Sequence, residues 1–167
     1  MIRISIVGEI GSGKSHIAKL FHFPVFNADF EVKKIYRLNR SCFKKIKREL
    51  PKFFLSFPIK KEEIIKAILA RRNNLKKITK IIHPEISKKM KIFLNKNKDK
   101  KIIILDVPLF LENKLNKKGD IIIFVQSKKS EIYKRLKKRK NFNMSLFKKF
   151  KETQLPLEYK KKKHHFF

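Results

Sequence analysis

Apolar residues in this chain fall into two patterns. Short runs rich in isoleucine, valine and phenylalanine stand at 2–7, in FPVFN at 23–27, in KIIILD at 101–106 and in IIIFV at 121–125. The last two are continuous, as in strands buried on both faces, and the first two also read as strands. Elsewhere the apolar positions recur at helical spacing. That spacing predicts helices from 14 to about 22, from 30 to about 40 through Val32, Ile35, Tyr36 and Leu38, and at 129–140 and 144–153. The region 41–98 reads as helical pieces, interrupted at Pro51, Pro58 and the RRNN of 71–74. Within it Ile64, Ile65, Ile68 and Leu69 form one apolar face, and Pro84 suits the first turn of a further helix running to about 94. Strands alternating with helices predict an α/β fold of three layers (α/β/α) around a parallel sheet. No internal repeat is visible, and the one low-complexity segment is KKKK at 160–163.

The first strand runs into GEIGSGKS at 8–15, which holds three of the four glycines in the chain. This is the G-x-x-x-x-G-K-[ST] phosphate-binding pattern, in its expected place between a strand and a helix. The glycines let the backbone turn tightly and aim N–H groups at phosphate oxygens. Lys14 is expected to reach the β- and γ-phosphates, and Ser15 to offer its hydroxyl to Mg²⁺. The nucleotide-binding stretch is therefore Gly8, Gly11, Ser12, Gly13, Lys14, Ser15 and His16, with ATP as the implied ligand.

Charge changes the picture less than its size suggests. The chain carries 45 Lys+Arg against 14 Asp+Glu, a formal +31 over 167 residues. One reading is a nucleic-acid or membrane-surface footprint. The other is compositional drift, because the abundant Lys, Ile, Asn and Phe have A/T-rich codons and lysine is spread along nearly the whole length. On either reading an anionic substrate is drawn in. Cys42 is the single cysteine, so no intrachain disulfide or cysteine-based metal cluster is expected. No run of about 18 apolar residues exists to span a bilayer. With a strand-like run from residue 2 and no basic leader, the expectation is a cytoplasmic, monomeric, single-domain protein without a membrane or obligate nucleic-acid partner.

A phosphate loop says only that a nucleotide binds. Candidates for the chemistry lie where strands end. Asp29, in FNADF, could accept a proton from an attacking hydroxyl, or could simply cap a helix. Asp106 closes KIIILD, where a carboxylate suits Mg²⁺ held directly or through water; a strand-end turn residue is the alternative. Arg135 and Arg139 stand four apart and are read as sharing one helix face. Only eight of the 45 basic residues are arginine, so these two are candidates for gripping phosphate with a planar fork; a solvated helix face is the alternative. His83, before Pro84, lacks a partner at metal-ligand spacing, and the terminal His164-His165 pair is assigned no metal.

Six segments together resemble the dephospho-coenzyme A kinases: GEIGSGKS, FNADF, IIHPEI, LDVPLFLEN, YKRLKKR and TQLPLEYK, in that family's order and at similar intervals. The phosphate loop is generic; the other five are specific as a set. The resemblance covers about residues 1–160. It implies a P-loop kinase core, a helical CoA-binding region at about 41–98 and a lid at about 127–153. It implies transfer of the γ-phosphoryl of ATP to the ribose 3′-hydroxyl of dephospho-CoA. Asp29 would orient or deprotonate that hydroxyl, while Lys14, Arg135 and Arg139 would neutralise the moving phosphoryl. His83 would fall in the acceptor-binding region, with Asp106 and Glu112 near the acceptor. Another small-molecule kinase, or a basic nucleic-acid-binding protein with a residual phosphate loop, are the rival readings.

Three departures stand out against that pattern. Asn27 replaces the first acid of the family's D-A-D, so the carboxylate role rests on Asp29. His16 replaces a common threonine, though its backbone N–H remains. The family's last strand and helix are not matched by KKKKHHFF, which predicts a truncated end with weakened base recognition.

Overall fold

The computed structural model describes residues 1–108, 110–113, 115–139 and 142–162. The terminal expectations for 163–167, His164 and His165 among them, lie outside the described residues. The chain divides into two compact units, one of residues 1–28 and 94–167 and one of residues 29–93.

The first unit is built on four parallel strands, β1 (Ile2–Gly8), β2 (Val25–Asn27), β3 (Ile102–Asp106) and β4 (Ile121–Val125), in the order β2-β3-β1-β4. All four runs picked out by the apolar pattern are strands. The central pair is buried as continuous apolar runs should be: Ile6, Ile103, Ile104 and Leu105 are fully enclosed. β4 alternates buried and half-buried positions, as an edge strand does. Register runs from Ile2↔Ile102 to Ser5↔Leu105 between β1 and β3, and from Ile4↔Ile121 to Gly8↔Val125 between β1 and β4. Arg3 is buried on β1 and pairs with Asp120 at 2.9 Å, just before β4; Asp120 also accepts from the Lys117 N–H at 2.8 Å. A buried pair of this kind fixes geometry more than it adds stability.

Helix α1 (Lys14–Leu20) stops two residues short of the expected end, because His22 takes a left-handed backbone (φ 53°) that no helix continues through. After β4 come α6 (Lys129–Lys137), α7 (Met144–Lys151) and α8 (Leu157–Lys162). The expectation of one helix over 129–140 is corrected: α6 closes at Lys137 with the Lys138 N–H bonded back to Lys134 and Leu136 carbonyls. α7 likewise ends at Lys151, not 153.

The second unit is helical, following α2 (Ala28–Leu38), α3 (Arg40–Glu49), α4 (Lys61–Ala70) and α5 (Arg72–Lys96). Asn39 caps α3, its side chain accepting from the Cys42 N–H at 2.9 Å. The break expected at RRNN is a single extended residue, Arg71, and the buried Asn74 donates 2.8 Å to the Ala67 carbonyl at the end of α4. The helix start expected at Pro84 is wrong. Pro84 lies inside the 25-residue α5. Proline removes one hydrogen bond there, but Ile78, Ile82 and Ile86, all buried, form one stripe on both sides of it. Burying that stripe keeps the two halves in one helix.

Candidate active site

The phosphate loop links β1 to α1. Gly13, at φ 99° and ψ 12°, is the residue before the helix, in a conformation that side chains with a Cβ rarely adopt. Gly8 is constrained by space: a Cβ there would lie 2.4 Å from the Val125 carbonyl oxygen. The Ser12 N–H donates to the Glu9 carbonyl at 3.1 Å and closes the turn. Lys14 folds back over the loop, its Nζ donating to the carbonyls of Glu9 (2.8 Å) and Gly8 (3.2 Å). Ser15 and His16 are exposed, and the His16 N–H donates to the Gly13 carbonyl at 2.9 Å. The Ser12 hydroxyl is buried with no hydrogen-bond partner among the described residues.

Helix α6 meets this loop. Arg135 Nη1 donates to the Ser12 carbonyl (3.3 Å) and to Ser127 Oγ (3.2 Å), and Ser127 Oγ donates to the same carbonyl at 2.9 Å. Arg139 does not share that face: it lies two residues beyond the end of α6 and is exposed. From α7, Lys151 reaches Glu9 Oε1 at 3.0 Å. Ile10 packs against the buried Ile132, Leu136 and Phe147. The segment expected to act as a lid is therefore docked on the loop by hydrogen bonds from Arg135 and Ser127, the Lys151–Glu9 ion pair and apolar packing on Ile10.

At the rim of the sheet Asn27 and Asp106 are in register, and Asn27 Nδ2 donates to Asp106 Oδ2 at 2.6 Å. Asp106 is buried. The departure from D-A-D thus supplies a donor to a neighbouring carboxylate. Beside it a small cavity is lined by Gly8, Lys14, Val107, Pro108, Glu112 and Lys160, among others. Glu112 Oε1 accepts from Lys160 Nζ at 2.7 Å and from the Leu155 N–H at 2.9 Å.

Asp29 and His83 belong to the second unit. Asp29 is exposed in the first turn of α2, two residues past the end of β2; it is inside the helix rather than its cap. His83 is on α5, where partial desolvation holds its imidazole below the ordinary range.

The CoaE family model, described as dephospho-CoA kinase, matches residues 2–167. This chain belongs to the dephospho-CoA kinase family. A dephospho-CoA kinase of Wolbachia pipientis wMel is 31% identical, over 95% of this chain and 84% of that relative. One from Bartonella quintana is 29% identical, over 96% and 84%. The crystal structure of TT1252 from Thermus thermophilus has the same fold, with a TM-score of 0.79 at 23% identity over 99% of this chain and 86% of that one.

Of the residues picked from the sequence, the structure brings Gly8, Lys14 and Glu112 to one cavity, and Ser12 and Arg135 to one another. Sequence reasoning missed Ser127, Glu9 and Lys160. Serine after a strand and glutamate within a glycine loop carry no pattern of their own. Lys160 closes the TQLPLEYK segment but is one lysine in a lysine-rich tail, and nothing local marks it as buried.

Proposed function

We propose that this chain transfers the γ-phosphoryl of ATP to the ribose 3′-hydroxyl of dephospho-CoA, completing coenzyme A, with the residues assigned as follows. The hydroxyl oxygen bonds to the γ-phosphorus as the bond from that phosphorus to the β,γ-bridging oxygen breaks. ADP leaves, and the hydroxyl proton passes to the Asp29 carboxylate. Lys14 and Arg135 exchange their loop partners for phosphate oxygens and stabilise charge on the transferring group. The Ser12 hydroxyl, buried without a hydrogen-bond partner among the described residues, gains an acceptor at the same moment. The helices of residues 29–93 hold the acceptor, with His83 among them, and 127–153 serves as the lid, Arg139 at its exposed end.

The observation that carries this reading is the convergence of Lys14 and Arg135 on one glycine loop in a chain of this family. The oxygen donors that would hold Mg²⁺ are the Ser15 hydroxyl, on the first turn of α1, and the Asp106 carboxylate, at the end of β3. No group of three or more His, Cys, Asp or Glu side chains among the described residues could hold a metal. Mg²⁺ suits that scarcity, since it takes one or two protein oxygens plus phosphates and waters. When bound, it draws charge from the β- and γ-phosphates.

Among the described residues no helix is long and apolar enough to cross a membrane. Our reading has the protein acting as a monomer in the cytoplasm, and sedimentation checks the oligomeric state. The deciding experiment incubates the chain with MgATP and dephospho-CoA and reads the mass of the acceptor. Gain of one phosphate on dephospho-CoA, and not on a panel of other nucleosides and alcohols, is the expected result. Phosphorylation of a different acceptor in preference would overturn the assignment.

Arg135 offers a graded test. Arg135→Lys keeps the charge but loses the planar guanidinium, whose Nη1 reaches Ser12 and Ser127 and which could grip a phosphate in two places. Losing one charge-assisted hydrogen bond lowers kcat by about tenfold, while thermal stability stays near that of the parent. An unchanged kcat would place the guanidinium outside the chemistry.

A further inference from the structure

A lysine so enclosed is unusual in a chain that shows most of its lysines to water. Lys160 is 2% exposed, on the short helix α8, and its ammonium lies 2.7 Å from Glu112. Both side chains line the cavity at the carboxyl ends of β1 and β3 that also holds Gly8 and Lys14. Ligands of parallel sheets bind at those strand ends. A carboxylate there opposes any triphosphate entering the loop, and it also competes for the ammonium of Lys14.

We propose that Lys160 is a positioning residue for nucleotide binding: it neutralises Glu112, so that this carboxylate neither repels the triphosphate nor draws Lys14 towards itself. The inference rests on the kinase reading above. Three features converge on it. The pair is mutually close and nearly dry, so each charge has its counter-charge within the protein. The same Glu112 oxygen accepts from the Leu155 N–H, which fixes the carboxylate and ties the approach to α8 to the segment after β3. Lys14 itself lies against loop carbonyls at 2.8 and 3.2 Å, which phosphate oxygens can replace. An unpaired carboxylate in the same cavity would be a stronger rival for it. Glu112, expected at the acceptor mouth, is thereby given a different task beside the phosphate loop.

A strut that merely anchors α8 makes a different prediction from a charge that must be cancelled, and a double substitution separates them. Lys160→Met removes the ammonium at similar volume and leaves Glu112 charged. Glu112→Gln keeps an oxygen for the Leu155 N–H and removes the charge. MgATP dissociation constants by calorimetry and melting temperatures are measured for the full-length parent, each single variant and the double variant.

K160M is expected to weaken MgATP binding by about tenfold or more, the scale of a like charge held several ångströms from the phosphates. Adding E112Q to it is expected to recover most of that loss, even if the melting temperature stays low. Lys160→Arg, which keeps the charge, is expected to bind MgATP within about threefold of the parent, since a conserved charge still cancels Glu112. If K160M does not fold, the double variant and K160R still decide the matter: binding weaker than the parent by more than about tenfold in both overturns the proposal. So does a double variant that binds no better than a folded K160M. Dephospho-CoA turnover by the parent is measured separately. A parent that binds MgATP but phosphorylates another acceptor overturns the dephospho-CoA assignment and leaves the Lys160 test standing.

Discussion

Lys14→Ala lowers the rate of phosphoryl transfer by about a hundredfold or more, the scale of removing one preorganised donor from a transition state. Lys14 donates to both carbonyls at the entrance of the loop, at 2.8 and 3.2 Å. Its contact with phosphate grows in value as charge moves onto the β,γ-bridging oxygen, so kcat falls further than MgATP affinity does. Measuring both, with a melting temperature, separates lost chemistry from a loosened loop. Turnover near the parent's would make the glycine loop decorative and would remove the basis for the kinase reading.

Asp29→Asn lowers kcat by about 10²–10⁴-fold, the range for general acid–base catalysis, while MgATP binding is little changed. The position of Asp29 makes the substitution informative. It is exposed in the first turn of α2 rather than at the cap, where its charge lies near a helix N-terminus. That is worth about 0.3–1 kcal/mol, and Asn keeps the size and most of the polarity. A helix-end role therefore predicts a small loss of stability and an ordinary kcat. Steady-state kinetics with dephospho-CoA distinguishes the two outcomes, and an unchanged kcat would exclude Asp29 as the base.

What could be read from the sequence was whatever local pattern controls. The four strands were legible because Ile103, Ile104 and Leu105, and their counterparts in β1 and β4, sit in runs that only a buried strand explains. The glycine loop was legible because backbone geometry leaves few residue choices at Gly8 and Gly13. The misses come from longer-range packing. Pro84 carries a local signal for a helix start, and the Ile78, Ile82 and Ile86 stripe overrides it. α6 ends at Lys137 in a stretch where lysine fills nearly every polar position and no glycine or proline marks the stop. The six-residue α8 went unread because such a short helix owes its stability to partners elsewhere, here Glu112 through Lys160. Asn27 was read as a missing acid; its amide donates to Asp106, a contact 79 positions away.

That same separation bears on how the molecule assembles. β2 and β3 are neighbours in the sheet, yet all of residues 29–93 intervene between them. Pairing them early means closing a long, floppy loop before any contact rewards it, whereas the intervening helices form from near neighbours. Collapse of that helical segment shortens the gap the strands must bridge. The rim carrying Asn27 and Asp106 is then among the last parts to form. Pulsed hydrogen exchange during refolding is expected to protect α3 and α5 amides before those shared by β2 and β3, and the reverse order would refute this sequence of events. A nascent or partly unfolded chain of this kind would have its helices before it had the rim where Asn27 meets Asp106.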